Sequence, residues 1–366
     1  MLKISALILA CVTAVSAFSA GFAPSTYTEL GIPSSQRYAE GIRARGVWDM
    51  AYVDGSLFIG SGDFDNNAGP VDIWCYDTYT GKWTNSGTVN DEEVNKFVTV
   101  DGKLCVPGTD PRINGTTYYS YNSGTWETHD IISEATHTFD ILEHDNKIFA
   151  GLGVSAGQYP IAVSSDGGKS FKSVKMMRDG RPLDTSAGSV VRVYDLFCLK
   201  DTVYAVFRYR VGDVKSFDLY RYEDGEFVFD NAWYDKLEVE KYVSGFIGGD
   251  AVYKDKLWFT TGNLFVTDDM ENLTKIALDE KMGVYDVYAS EDALYALGCE
   301  TMADGRYRIS VWENTSGETD GFAETAYFYY DAPAVSLVRA DGIFFIGTGD
   351  INNVNDKSGS VLAIAE

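Results

Sequence analysis

One strand–turn–strand unit recurs along this chain and limits its fold more than any other feature. Its first copy is WDMAYVDGSLFIG, residues 48–60, with Leu57 as the first apolar residue after the turn. Further copies are KFVTVDGKLCVPG at Leu104, FDILEHDNKIFAG at Ile148, YDLFCLKDTVYAV at Val203 and GDAVYKDKLWFTT at Leu257. The last two are YDVYASEDALYAL at Leu294 and VSLVRADGIFFIG at Ile343, making seven copies spaced 37 to 55 residues apart. Each joins an alternating or continuous apolar run to a second such run through a tight turn of Asp, Gly, Asn or Lys. Those turn residues accept positive φ or close an Asx bond, as a two-residue hairpin requires.

A second hairpin follows most copies: IWCYDTYTGKWT, YYSYNSGTWET, IAVSSDGGKSFKS, LYRYEDGEFVF, LFVTDDMENLTKI and ISVWENTSGETDGF. Helical periodicity is absent from residue 18 onward. Four-stranded units at this period predict an all-β chain, a seven-bladed β-propeller of antiparallel blades forming one domain over residues 18–366. The seventh unit stops at SVLAIAE, its third strand, while STYTELG near the start resembles the fourth strands WTNSG and WETHD. The expectation is that this N-terminal strand completes the last blade and removes its open edge.

MLKISALILACVTAVSA, residues 1–17, has a lysine, an apolar run and a small-residue end, the pattern of a secretory signal cleaved after Ala17. The run before Cys11 is short for a lipid-modified cysteine, and Leu9 is bulky there. No later stretch reaches the ~20 apolar residues of a spanning helix. The expected protein is therefore secreted or periplasmic, without a membrane span, and monomeric. A net charge of −24 repels phosphates, which argues against nucleic acid and suits cations, neutral sugars or basic proteins. An acidic surface also simply keeps an extracellular protein soluble. Cys75, Cys105, Cys198 and Cys299 sit in apolar strand patterns, as buried thiols or with a Cys75–Cys105 bridge. Asn114, Asn272 and Asn314 head glycosylation sequons.

In a propeller the short turns lie at one end and the long connections at the other. Long connections are read at 61–70, 108–116, 151–159, 208–217 and 348–359. Binding residues concentrate on such loops. Asp49, Asp140, Asp195 and Asp286 share a position eight residues before the anchor, each preceded by an aromatic: Trp48, Phe139, Tyr194 or Tyr285. Lys96, Gly249 and Val335 fill the slot in the other units. Four carboxylates ringing a channel mouth would raise one another's pKa or hold a cation. Alternatively, each accepts backbone N–H bonds from the next blade, with its aromatic packed between blades. The loops GSGDFDNNAG and GTGDINNVNDKSG place Asp63, Asp65 and Asn67, and Asp350 and Asn352, at calcium-loop spacing without a bidentate Glu. Ordinary loop chemistry also favours such residues.

IWCYDTYTGKW, residues 73–83, resembles a kelch repeat, and Ser164–Phe171 resembles an Asp-box hairpin, with a decayed copy at Thr267–Thr274. The resemblance implies the kelch- or Asp-box-type propeller superfamily as architecture, with no activity attached. Sialidases share the Asp box but use an arginine triad, and no arginine here occupies a repeated position. Galactose-oxidase-like enzymes need copper held by histidines, and His129, His137 and His144 lie within one unit. No G-x-S-x-G elbow occurs. The leading expectation is a non-catalytic binding propeller for a glycan or extracellular protein, contacted by Asp63, Phe64, Asp65, Tyr119, Tyr159 and His137. The alternative is a polysaccharide hydrolase or lyase using two of Asp49, Asp140, Asp195 and Asp286.

Overall fold

The computed structural model describes residues 23–39, 42–111, 115–188, 190–233, 236–237, 248–350 and 354–365. The secretory-signal reading, the sequon at Asn114 and the candidate ligand Asn352 lie outside these residues. The described chain is all-β apart from three short 3-10 turns, Pro33–Gln36, Arg43–Arg45 and Phe64–Asn66.

Five four-stranded antiparallel sheets are separate. In chain order they begin with Asp49–Val53, Ser56–Gly60, Val71–Asp77 and Lys82–Val89. The second comprises Val98–Val100, Lys103–Pro107, Thr117–Asn122 and Thr125–Asp130. Later come Asp250–Tyr253, Lys256–Thr260, Leu264–Thr267 and Thr274–Ile276, then Gly283–Ala289, Leu294–Thr301, Tyr307–Asn314 and Ala323–Tyr330. The last contains Ala334–Ala340, Ile343–Thr348 and Val361–Ala365, and its fourth strand is the N-terminal Thr28–Gly31. Thr28 pairs with Ala363 and Glu29 with Leu362, so the two ends of the chain share one sheet.

Between the second and third of these lies a ten-stranded sheet spanning residues 135–232. It contains two consecutive antiparallel runs, one from Ala135–His144 to Lys172–Ser173 and one from Val190–Leu199 to Glu226–Ala232. A single pair, Gly153 with Arg192, joins them. A small hairpin, Met176–Arg178 and Arg181–Pro182, adds to the outer strand Glu226–Ala232 in parallel. The architecture is thus propeller-like, with four-stranded antiparallel blades.

The inner hairpins turn as their sequences require. Asp54 and Gly55 have φ of 48° and 81°, and Asp101 and Gly102 have 51° and 66°. Both central residues at positive φ match the right-handed twist of the strands. The inner strands are apolar on both faces because each sheet is packed between two neighbours. Ser56–Gly60 buries Leu57 and Ile59 toward one neighbour and Phe58 toward the other. The outermost strands, such as Lys82–Val89, are mostly polar and exposed. Among the described residues the core is accordingly divided into seven clusters, each between consecutive units. One unites Val47, Leu57 and Trp74 with Val338, Phe345 and Val361, so the first sheet packs on the last.

Two connections are shorter than their sequences suggested. In 151–159, residues 151–154 belong to the strand Lys147–Val154, which leaves 155–160 as the connection. Residues 208–217 are not a long loop: Thr202–Val211 and Val214–Glu223 continue as a hairpin, with Arg208 paired to Phe217 and Tyr209 to Ser216. The turn falls at Gly212–Asp213, where Gly212 supplies φ of 56°.

Candidate functional site

Neighbouring strands are antiparallel, so the start of each first strand lies at the end that carries the sheet-to-sheet connections. Asp49 sits at such a start, Asp140 and Asp286 stand at the same level of first strands that begin a few residues earlier, and the oxygens of all three are occupied. Asp49 Oδ1 accepts from Met50 N at 2.7 Å and Oδ2 from Phe97 N, just before the next sheet's first strand, at 2.6 Å. Asp140 accepts from Ile141 N at 2.8 Å and from Leu196 N at 2.9 Å. Asp286 accepts from Val287 N at 2.8 Å and from Leu337 N at 2.7 Å. Each carboxylate therefore ties its own first strand to the next unit. A β-bulge lies just before Asp140, Asp195 and Asp286 and turns each residue into this position.

The ring is more than the four aspartates. Lys96 reaches across it, its Nζ 2.8 Å from Asp140 Oδ2 and 3.2 Å from Asp250 Oδ1. Asp250, rather than Gly249, brings the fifth unit's carboxylate inward. Gly249 itself lies so close to Asp286 that a Cβ there would collide with the carboxylate. In the last sheet Ser336, rather than Val335, points inward, and its Oγ donates to Val47 O at 2.7 Å. Asp195 is buried and acts on Lys96 through its charge.

These charges set one another's protonation. Burial pushes Asp49 up to about 7, although the two N–H bonds and Lys96 pull it down. Burial, then the Asp49 charge, raises Asp286 well above the ordinary carboxylate value. Burial also raises Asp140, against Lys96. Burial alone would depress Lys96, but Asp140, Asp250 and Asp195 hold its ammonium well above the ordinary lysine value. Asp49, Asp140, Asp195 and Asp250 thus share the field of the Lys96 ammonium, with Asp286 beside Asp49 and Asp250.

The aromatics beside the ring divide in two. Phe139 and Tyr194 pack against each other at 4.6 Å between units, and Trp48 Nε1 donates to Gly62 O at 2.8 Å. Tyr285 is 41 % exposed on the same end. Nearby, Tyr307 donates to Asp350 Oδ2 at 3.4 Å.

The loop around residue 63 closes on itself. Asp63 caps the Phe64–Asn66 turn, accepting from Asn66 N at 3.2 Å and Asn66 Nδ2 at 2.7 Å. Asp65 pairs with Arg43 Nη1 at 2.7 Å, and the same guanidinium lies over Trp48 and Phe64 at 5.4 and 5.5 Å. Asn67 is exposed at φ of 53° just after that turn. The alternate spacing thus serves a capped turn. Among the described residues no group of three or more His, Cys, Asp or Glu is arranged to hold a metal ion.

The remaining candidates lie apart. Tyr119 is a buried core residue of Thr117–Asn122, packed with Phe58 and Val106, because strand alternation turns it inward. Tyr159 is half-buried against the core beside residue 161. His137 Nδ1 lies 2.8 Å from Thr109 O and 3.7 Å from Asp110, stacked on Phe139, and burial lowers its pKa. Asn314 is fully buried, its Nδ2 donating to Glu318 O at 2.8 Å, so that sequon is closed to a glycan. Cys75, Cys105, Cys198 and Cys299 are free, without a Cys75–Cys105 bridge.

Two acids beside this end went unread in the sequence. Asp91 and Glu93 belong to a run that looks like a solvated loop, yet both are buried. Burial pushes them up to about 7 and about 8, with Arg43 opposing at Glu93.

No protein-family model matches the chain, and no curated protein matches it in sequence. Solved structures do match. A chain of the mitotic checkpoint complex covers 100% of this chain and 99% of its own at 11% identity, with a TM-score of 0.50. A putative 6-phosphogluconolactonase from Bacteroides fragilis matches 81% of this chain and 88% of its own at 11% identity and TM-score 0.49. Polysaccharide lyase Uly1 matches 94% and 97% at 10% identity and TM-score 0.45. The first likeness, at so low an identity, is one of fold, and it is to a propeller.

Proposed function

We propose that the chain is an exported, seven-bladed propeller that binds an extracellular ligand, a glycan in the first instance, on its long-connection end without transforming it. The count of seven is supported by the seven core clusters and by the single pair that joins the two runs of the ten-stranded sheet. Export is supported by the signal pattern of residues 1–17.

The observation that carries the non-catalytic reading is the fate of the ring carboxylates. A glycosidase needs one acid and one base or nucleophile with oxygens turned to the sugar. Here both oxygens of Asp49, Asp140 and Asp286 accept N–H bonds from the strands they join. Tyr285, the Tyr307–Asp350 pair and exposed Asp65 instead offer the aromatic faces and carboxylates that sugars use.

A glycan array followed by calorimetry tests this. Binding without product, weakened at least about tenfold by Tyr285→Ala, is expected, since one well-packed aromatic contributes on that order. Product formation abolished by Asp49→Asn or Asp286→Asn would instead establish the hydrolase or lyase reading. No glycan response would redirect the search to an extracellular protein.

A further inference from the structure

At the opposite end, two first strands bring a thiol to an imidazole. Cys198 Sγ lies 3.4 Å from His144 Nδ1. His144 ends Ala135–His144, and Cys198 stands one residue before the end of Val190–Leu199. Phe197 and Leu199 are buried toward the following unit, so alternation turns Cys198 the other way, toward His144. Cys198 is half-buried, whereas Cys75, Cys105 and Cys299 are 8%, 1% and 5% exposed in strand cores.

The surrounding charges leave the imidazole as the base within reach. Lys200 is drawn away, its Nζ 2.7 Å from Asp268 O. Glu143 accepts from Asp101 N at 2.5 Å, and Lys147 pairs with Asp145 at 3.2 Å. Burial, then the Asp201 charge, raises the Cys198 thiol, so it rests protonated and needs a base to react.

We propose that Cys198 is a modification site: with His144 as base, it exchanges with small disulfides and carries their thiol as a mixed disulfide. The thiol proton passes to His144 Nδ1 as the sulfur lone pair forms the new S–S bond. The bond within the small disulfide breaks, and its departing thiolate takes the proton from the imidazolium. Cys198 thiol and one disulfide become one mixed disulfide and one free thiol, with no other oxidant. Because the thiols of Cys75, Cys105 and Cys299 are buried in strand cores, none of these three resolves the mixed disulfide.

Dithiodipyridine, a neutral aromatic disulfide, tests this on the native protein. One equivalent is expected to react in a fast phase, mapped by peptide mass to Cys198 and removed by Cys198→Ser. His144→Gln, at unchanged melting temperature, is expected to slow that phase about a hundredfold, the lower end of the range for a positioned base. Added free imidazole should restore part of that rate in His144→Gln. If that variant fails to fold, His144→Asn decides: a slower fast phase there at unchanged melting temperature supports the pair. A fast phase at another cysteine, or an unchanged rate in the folded His144 variant, overturns it.

Discussion

Lys96 is the residue on which the axial charge depends. It joins units on opposite sides of the ring, and its two ion pairs reach Asp140 and Asp250 at 2.8 and 3.2 Å. Removing one partner of a desolvated pair leaves the other charge uncompensated, which costs about 3–5 kcal/mol. Lys96→Met is therefore expected to lose stability of that order in urea unfolding at pH 8. Near pH 5 the loss should be smaller, because Asp49 is already protonated there and Asp140, raised by burial, can take up a proton in place of the ammonium. An equal loss at both pH values would show that the aliphatic stem, not the charge, is what Lys96 supplies. Lys96→Arg keeps the charge on a larger head and is expected to fall between the two.

At the scale of the element, the N-terminal strand Thr28–Gly31 covers the edge of Val361–Ala365. Glu29 reinforces it, accepting from Tyr330 Oη at 3.0 Å and from Lys357 Nζ at 2.9 Å, and Leu30 O accepts from Trp83 Nε1 at 2.8 Å. A chain beginning at residue 32 is expected to expose an apolar strand edge, melt lower and self-associate in light scattering. A peptide of residues 24–32 added in trans should restore the melting temperature by strand addition. No effect of truncation would remove closure as a source of stability. This closure was legible in the sequence because STYTELG has a fourth-strand pattern and the last unit lacks one. The inner hairpins were legible because their turns need residues that accept positive φ. Other elements were not. Arg208, Tyr209 and Arg210 read as a polar loop, yet extend a hairpin, where Tyr209 packs against the core and Arg208 pairs with buried Phe217. The aspartate position showed in the spacing, with its role as an inter-strand tie already one of two readings. Asp250 escaped because it lies one residue beyond the repeated position, and Lys96 because its partners are set by ring geometry rather than by sequence distance.

The whole molecule couples charge to stability in a definite direction. Asp49 and Asp91 are held at about 7 and Glu93 at about 8, all above the carboxylate range of an unfolded chain. A folded value above the unfolded one means that the contribution is fully present below about pH 4 and is lost as pH rises through about 7 to 8. Asp166 and Asp269 run the other way. Their turns donate to them, Asp166 from Ser170 and Asp269 from Asn272, and hold both at about 2. Their contribution is present above about pH 4 and is lost as pH falls toward 2. The melting temperature is therefore expected to peak between about pH 4 and 6 and to decline toward pH 8.5. General repulsion in a chain of net charge −24 also grows with pH, but salt screens it at exposed sites. Melting curves in high salt separate the two causes: the decline from pH 6 to 8.5 should persist there, and Glu93→Gln should reduce its slope at the upper end. A flat profile in high salt would mean that surface repulsion alone produced the trend and that the buried acids give up their protons without cost to the fold.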